Sequence, residues 1–280
     1  MILSIITVTF NNEKNIKNYL KSVIAKKPED SEVILVDNAS LDKTKEFIKE
    51  FKEVILIDNS VNVGFSMANN QASKLAKGEY LLFLNPDTLI LNDSINKLLS
   101  YAKTSSAGII SPRLVLPNGE IQPNVRRKPS ILGVIKEYYL GIKNSFAEYV
   151  PDSTDAVKVE CVYGGAMLIK RDLFSKIGRF NEKYFMYYED LDLCDRIRKL
   201  GLDIVYYPKS LIKHDVGTSS KTLEKSNLAK FKFLINFIPF RNSGSLYYSL
   251  KSGNIYHGKF KAFLIRLLIF ISLKLQLTNA

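Results

Sequence analysis

The stretch LSIITVTFNN, Leu3–Asn12, decides how the rest of the chain reads. A seven-residue apolar, β-branched run stops at a polar pair, Asn11–Asn12. Its apolar character is nearly continuous rather than alternating, which is the pattern of a strand covered on both faces. Three more runs have the same character: EVILVD (Glu32–Asp37), VILID (Val54–Asp58) and YLLFL (Tyr80–Leu84). Helical patterns separate them around Asn15–Ala25, Leu41–Phe51 and Phe65–Ala76, with Ser40 and Asp42 as start signals for the second. Strand–helix repetition with short connections predicts a parallel α/β sheet. Ligands on such sheets bind beyond the carboxyl ends of the strands.

Those ends are polar. The first run delivers Thr7, Thr9 and Asn11–Asn12, the second Asp37, Asn38, Ala39 and Ser40, and the fourth Asn85, Pro86 and Asp87. Asp and Asn also cap helices and build turns, and for Asp37 or Ser40 alone both readings stand. Three ends of one sheet carrying acceptors and hydroxyls favour a shared pocket. At Asn85-Pro86-Asp87 the proline stiffens the turn and leaves Asp87 as an oxygen ligand. A hard cation such as Mg²⁺ or Mn²⁺ could share that ligand with substrate phosphates.

The second half is organised differently. Pro112, Pro117, Asn118, Gly119 and Pro123 punctuate a loop-rich stretch with a hairpin turn predicted at Pro117–Gly119. Ser130–Phe146 reads as helical, Val157–Lys170 as a strand run broken by Gly164 and Gly165, and Glu189–Leu200 as a helix ended by Gly201. The cluster Glu189-Asp190-Leu191-Asp192 follows the aromatic FMYY of Phe185–Tyr188. Acids in a first turn complement the helix dipole. Aromatics beside an acidic pair also make a sugar platform next to a general base. Asp192 and Asp195 are expected to face Arg196 and Arg198. His214, in KHDVGTSS, is either a satisfied structural histidine or the nitrogen ligand of a metal site.

Composition sets outer bounds. With 280 residues, 46% hydrophobic and 24% charged, the chain is globular and long enough for a sizeable core. Its two cysteines, Cys161 and Cys194, have no metal-ligand spacing and form no disulfide framework, which fits a reduced, cytoplasmic compartment. From Lys209 onward twelve Lys/Arg face only Asp215 and Glu224, so +10 of the net +12 belongs to the C-terminal quarter. That asymmetry points to an anionic surface there rather than to nucleic acid along the whole protein. No signal-peptide pattern opens the sequence. The apolar stretch Ala262–Leu277 is interrupted by Arg266, Lys274 and Gln276 and is shorter than the ~20 residues a spanning helix needs. It reads as an interfacial helix with Lys259, Lys261, Arg266 and Lys274 near lipid phosphates, or as a helix docked on the protein or on a partner subunit. The resulting division is a catalytic domain over 1–220 and a basic, amphipathic helical extension over 221–280.

Taken in order, the motifs resemble family 2 inverting glycosyltransferases of the GT-A fold, in particular the rhamnosyltransferase-like branch of bacterial polysaccharide assembly. The matching pieces are VTFNN (Val8–Asn12), VDNASLD (Val36–Asp42), NVGF (Asn62–Phe65), LNPD (Leu84–Asp87), GGAMLIKR (Gly164–Arg171), FNEKYFMYYEDLDLCDRIRKLG (Phe180–Gly201), HDVGTSS (His214–Ser220) and FRN (Phe240–Asn242). No single piece is decisive; the ordered set is. The resemblance implies a Rossmann-like α/β fold with a mixed, mostly parallel central sheet and a helical C-terminal extension. It implies that Thr7, Phe10, Asn11, Asp37, Asn62, Gly64 and Asn85 bind the nucleotide, with Asp37 on the base. By the same likeness Asp87 and His214 hold Mn²⁺ or Mg²⁺, and Gly164, Gly165, Ala166 and Tyr188 shape the sugar pocket. Asp190 is the implied base and Glu189 its acceptor-orienting neighbour. Asn85 stands where the family's DxD motif often has its first Asp, which puts metal affinity in doubt rather than activity.

The expected reaction is inverting transfer of a sugar from a dTDP- or UDP-linked donor to a hydroxyl of a glycan or lipid-linked acceptor in cell-surface polysaccharide synthesis. The place of work implied is the cytoplasmic face of a membrane, and oligomeric state is left open. A nucleotidyltransferase is disfavoured because TFNNEKN replaces the Gly-rich, Arg-containing loop after the first strand. An inactive nucleotide-sugar-binding relative is the remaining alternative. Nucleic-acid binding ranks last, because the basic residues are not interleaved with aromatics on the sheet.

Overall fold

A computed structural model describes residues 1–215 and 243–278, with the side chains of all but 243–247 and 273–278 of these. The segment Gly217–Ser220, the FRN motif and the 220/221 domain boundary lie outside the described residues.

Strands β1 (Leu3–Thr9), β2 (Ser31–Asp37), β3 (Val54–Asp58) and β4 (Tyr80–Leu84) form a parallel half-sheet in the order β4-β1-β2-β3. Side chains alternate between two cores. Leu3, Ile5, Val33, Leu35 and Leu82 pack with helices α1 (Ile16–Lys26) and α4 (Ser94–Thr104). Ile6, Ile34, Val36 and Phe83 pack under α3 (Phe65–Leu75) and α7 (Glu189–Lys199). Both faces are therefore dry, as the continuous apolar runs predict. β3 departs from that pattern. It is an edge strand, and Ile55 is 41% exposed.

Helix α2 (Thr44–Lys49) begins three residues later than Leu41. Ser40 Oγ instead accepts the Asn11 N–H (2.9 Å), and Asp42 accepts the N–H groups of Glu13 (3.1 Å) and Thr44 (3.0 Å), so the start signals tie two strand ends together.

The rest of the sheet comprises β5 (Thr88–Ile90), β6 (Ile109–Val115), β10 (Val157–Val159), β12 (Ala166–Lys170) and β13 (Ile204–His214), with β7 (Ile121–Gln122) folded back on β6 through the turn at Pro117–Gly119. β12 is antiparallel to both β4 and β6, with Ala166 opposite Leu84 and Leu168 opposite Ile110. β13 runs parallel to β6 and pairs antiparallel with β5, setting His214 opposite Thr88. A small second sheet joins β8 (Val125–Arg126), β9 (Glu148–Tyr149) and β11 (Cys161–Val162). The predicted Val157–Lys170 run is thus three strands, and α6 (Arg171–Lys176) follows it.

The helix predicted over Ser130–Phe146 is shorter. α5 (Ile131–Val134), capped by Ser130 Oγ, continues into one wide π turn over Ile135–Tyr139 and stops. The Glu137 carboxylate accepts the N–H groups of Ser145, Phe146 and Ala147 (2.8, 2.6 and 3.1 Å), folding the chain back in place of further helix. At the C-terminus α8 (Ser243–His257) and α9 (Lys259–Thr278) make a hairpin through Gly258, whose φ is +78°. Among the described residues no helix is long and apolar enough to cross a membrane.

Candidate active site

Leu84 ends β4, and the Asn85 N–H donates to the Gly165 carbonyl at the start of β12 (2.9 Å). Asp87 and His214 are both buried, and His214 Nε2 lies 3.2 Å from Asp87 Oδ1. His214 Nδ1 meets Gln122 Oε1 at 2.7 Å. An amide oxygen only accepts, so with Gln122 so oriented Nδ1 carries a proton and Nε2 is directed at the carboxylate. A cavity of about 140 Å³ opens here, lined in part by Asn15, Asn18, Asp87, Lys213 and Asp215. A larger hollow of about 430 Å³, between Lys74, Arg179 and Arg196, shares no lining residue with the site.

These residues fit a hard divalent cation. Adjacent corners of a six-coordinate shell with bonds of about 2.1 Å lie about 3.0 Å apart, close to the observed Asp87–His214 separation. Among the described residues no group of three His, Cys, Asp or Glu could hold a metal, so the two protein ligands suit an ion that takes its remaining oxygens from phosphate and water.

Asp190 opens α7. Its Oδ2 accepts the Gly164 N–H (3.1 Å) and its Oδ1 the Leu191 N–H (2.8 Å). Burial pushes this carboxyl above its ordinary range, while those N–H groups and Arg126 pull it back. Glu189 is 6% exposed, its Oε2 has no hydrogen-bond partner, and burial followed by the charge of Asp190 drives its carboxyl well up. Buried neighbours that resist sharing charge are typical of acid–base sites. The pair is placed by Tyr187 and Tyr188, both left-handed at φ +68°, a costly conformation for bulky residues. Asp192 and Asp195 face Arg196 (2.8 Å) and Arg198 (3.9 Å), as expected.

Tyr163 links the two acidic sites. Its hydroxyl accepts from Asn85 Nδ2 (3.2 Å), and its ring centre is 6.0 Å from that of His214. Burial, then the charge of Asp87, pushes its phenol upward. Asp190 accepts the N–H of Gly164, the residue after Tyr163, while the Tyr163 ring lies beside His214, which meets Asp87. Asp87, Asp190 and His214 therefore share one neighbourhood. Gly165 is required there, because a Cβ would fall 2.3 Å from the Tyr163 ring and 2.7 Å from Asn85 Nδ2.

At the carboxyl end of β2 Asp37 is fully buried. Its Oδ2 accepts the Ser40 N–H (2.9 Å), and its Oδ1 has no partner among the described residues. Such an orphan acceptor suits the ring N–H of a pyrimidine. Asn62 Oδ1 accepts the Gly64 N–H (3.0 Å), and Gly64 has φ +88° with the Phe185 carbonyl where a Cβ would be.

Other expected site residues are placed as follows. The Thr7 hydroxyl is turned into the core against Tyr19. Asn11 Oδ1 accepts the Leu41 N–H (2.7 Å), bracing the loop. Ala166 is fully buried in the core, and Gly164 and Gly165 before it are buried against Asp190 and against Tyr163 and Asn85, respectively. Phe10 is half-buried, its N–H donating to Asn12 Oδ1 (3.1 Å). Tyr163 and Gln122 were not singled out from sequence. Tyr163 directly precedes the glycine pair and could have been; Gln122 gives no sequence signal.

The sequence model of glycosyl transferase family 2 matches residues 4–178, and that of the N-terminal domain of galactosyltransferase matches 153–218. An N-acetylglucosaminyl-diphospho-decaprenol L-rhamnosyltransferase of Mycobacterium tuberculosis is 29% identical over 87% of this chain and 86% of its own. Rhamnosyltransferase WbbL of Escherichia coli K12 is 28% identical over 73% and 80%. Among solved structures, GalNAc-T7 with UDP, GalNAc and Mn²⁺ superposes with a TM-score of 0.61 at 17% identity, over 77% of this chain and 44% of that one. S. aureus TarS 1-349 with UDP gives 0.57 at 19%, over 78% and 61%. The fold is that of GT-A glycosyltransferases, and with most of its sheet and half its site inside the matched span, the chain belongs to glycosyl transferase family 2.

Proposed function

We propose that the protein transfers a deoxyhexosyl or hexosyl group, with inversion, from a dTDP- or UDP-linked donor to a hydroxyl of a lipid-linked glycan. The observation that carries this reading is the meeting of Asp87, His214 and Asp190 around Tyr163–Gly164. Asp37 receives the base, and the Asn62–Gly64 turn lies along the nucleotide. Asp87 and His214 would hold a divalent cation, which when bound supplies charge neutralisation for the departing diphosphate. Asp190 takes the proton of the acceptor hydroxyl as its oxygen bonds to the anomeric carbon; the carbon–phosphate oxygen bond breaks, and the nucleotide diphosphate leaves with the electron pair. Gly164 and Leu191 keep the base oriented, and Glu189 positions the acceptor.

A lipid-linked acceptor is supported by what the mycobacterial relative acts on and by the exposed apolar side chains of α9, which suit the cytoplasmic surface of an anionic membrane. Thermal melting against UDP- and dTDP-sugars, with and without Mn²⁺, tests the reading. Ligand at 100 times Kd adds about 2.7 kcal/mol, or about 5–10 °C for a chain of this size. Absence of any nucleotide-sugar shift, with or without metal, would overturn it.

A further inference from the structure

A group of cations lies next to Asp190, and beyond the influence of Arg126 on that carboxyl the transfer step gives them no role. Arg126 leaves β8 opposite Cys161 on one side and Glu148 on the other. It is half-buried; its Nε is sealed from solvent without a hydrogen-bond partner, and its guanidinium makes no ion pair among the described residues. Arg266 approaches from α9. Its Nη1 donates to Asn254 Oδ1 (3.1 Å) and its Nη2 to the Leu250 carbonyl (2.8 Å). The same Nη2 and the Tyr188 hydroxyl both border the space left by Gly253, at 3.1 and 3.3 Å from where a Cβ would be.

His257 packs edge-on against Tyr188 with ring centres 5.8 Å apart, and its Nε2 is buried without a partner. The residue before His257, Tyr256, donates to Asp195 (2.6 Å), which also pairs with Lys128, two residues along from Arg126, so the β8 segment and the end of α8 meet here. Burial, then the charges of Lys261, Arg126, Arg266 and Lys128, hold the imidazole down to about 4. Among the described residues Lys128 is the one of these in an ion pair, with Asp195 at 2.6 Å, while Arg126 has Glu148 opposite it across the strand pair and acts on the charge of Asp190. Glu148, Asp190 and Asp195 offset part of this charge, and an added anion would offset the remainder, since like charges gathered in a half-buried place repel.

The surface next to this group is apolar. Phe260, Phe263, Leu267 and Ile271 lie along one side of α9 and are 75, 58, 38 and 40% exposed. The α5 segment extends that face with Leu132 and Leu140, joined to α9 by the Tyr139 hydroxyl donating to the Leu268 carbonyl (2.7 Å). An anionic head beside an apolar tail is the ligand chemistry this arrangement suits.

We propose that Arg126, Arg266 and Lys261, grouped around Tyr188 and His257, bind the diphosphate of an isoprenoid-diphosphate-linked acceptor. This is a second diphosphate site, distinct from the one at Asp87. The inference rests on the reading of a lipid-linked acceptor and adds how it is held: tail on α9, diphosphate on the cations, sugar over Tyr188, hydroxyl at Asp190.

Binding of farnesyl diphosphate to the full chain by calorimetry tests it without any sugar transfer. Wild type binds this probe, binds inorganic pyrophosphate and farnesol more weakly, and keeps it when UDP or dTDP with Mn²⁺ is added. Arg126→Gln weakens the probe about 10- to 100-fold, the worth of one charge-assisted contact, with nucleotide affinity unchanged, and Arg126→Lys recovers part of the loss. Lys261→Gln, on an exposed position, weakens it several-fold and guards against a folding defect at Arg126. Displacement of the probe by nucleotide, equal binding of pyrophosphate, or unaltered binding by both Gln variants would overturn the proposal. Loss on Arg126→Gln in a protein that responds to no nucleotide sugar would leave this site standing and remove the glycosyl-transfer reading instead.

Discussion

Replacing Asp190 by Asn removes the proposed base while keeping its shape. The carboxylate accepts two main-chain N–H groups, one on each oxygen, from Gly164 at 3.1 Å and Leu191 at 2.8 Å. An amide can accept only one of them, and its NH₂ must then face the other donor. Leaving one buried donor unpaired costs about 1–3 kcal/mol, partly offset because Asn carries no charge to bury. Folding therefore survives, with Tm lowered by no more than about 10 °C, at 2–4 °C per kcal/mol. The catalytic loss is larger. A positioned base contributes about 10²–10⁴ in rate, or about 2.7–5.5 kcal/mol of barrier at 1.36 kcal/mol per tenfold. In a radiolabelled-sugar assay kcat should fall by at least ~10²-fold. Nucleotide affinity should stay unchanged, because the nucleotide is assigned to Asp37, Asp87 and His214 and not to Asp190. Near-normal transfer by a folded Asp190→Asn protein would refute the reasoning, and so would a collapse of nucleotide binding that equals the loss in rate.

Glu189→Gln should raise Tm near pH 7.5, because the native carboxyl titrates above its unfolded range and so loses stability as pH rises through that window; below pH 4 a thermal-shift series should find the advantage gone. Gly64→Ala forces a Cβ to within 2.5 Å of the Phe185 carbonyl at φ +88° and should cost about 1–3 kcal/mol in a denaturant titration. Phe260→Ser with Phe263→Ser should reduce flotation with anionic liposomes at least fivefold, since each exposed ring offers roughly 1.5–3 kcal/mol on burial; unchanged flotation would mean α9 serves no membrane.

The parallel half-sheet was legible because strands buried on both faces have no solvent side to break their apolar runs; β1, β3 and β4 begin and end where the runs do. The acidic positions were legible too, since Asp87 and Asp190 follow a strand end and open a helix. Tertiary exchange of hydrogen bonds was not. Asn11, Ser40 and Asp42 look like ligands or caps, yet they bond to one another's loops across about thirty residues. Thr7 looked outward only because the alternation of a doubly buried strand gives no clue to which core each side chain joins. Arg126, on the small sheet, and Arg266, on the C-terminal hairpin, come from segments 140 residues apart; the basic, apolar tail marked Arg266, but no local pattern marks Arg126.

β12 enters the sheet against the direction of both its neighbours, so its first residues sit at the rim where β4 finishes. In the proposed reading one strand thereby divides labour. The residues assigned to the nucleobase and along the nucleotide, Asp37, Asn62 and Gly64, come from the chain before it. The assigned general base Asp190 and its neighbours come from after it, with His214 as the later chain's share of the diphosphate end. Exchanging the later portions between relatives should redirect which acceptor is glycosylated while the donor preference is inherited intact.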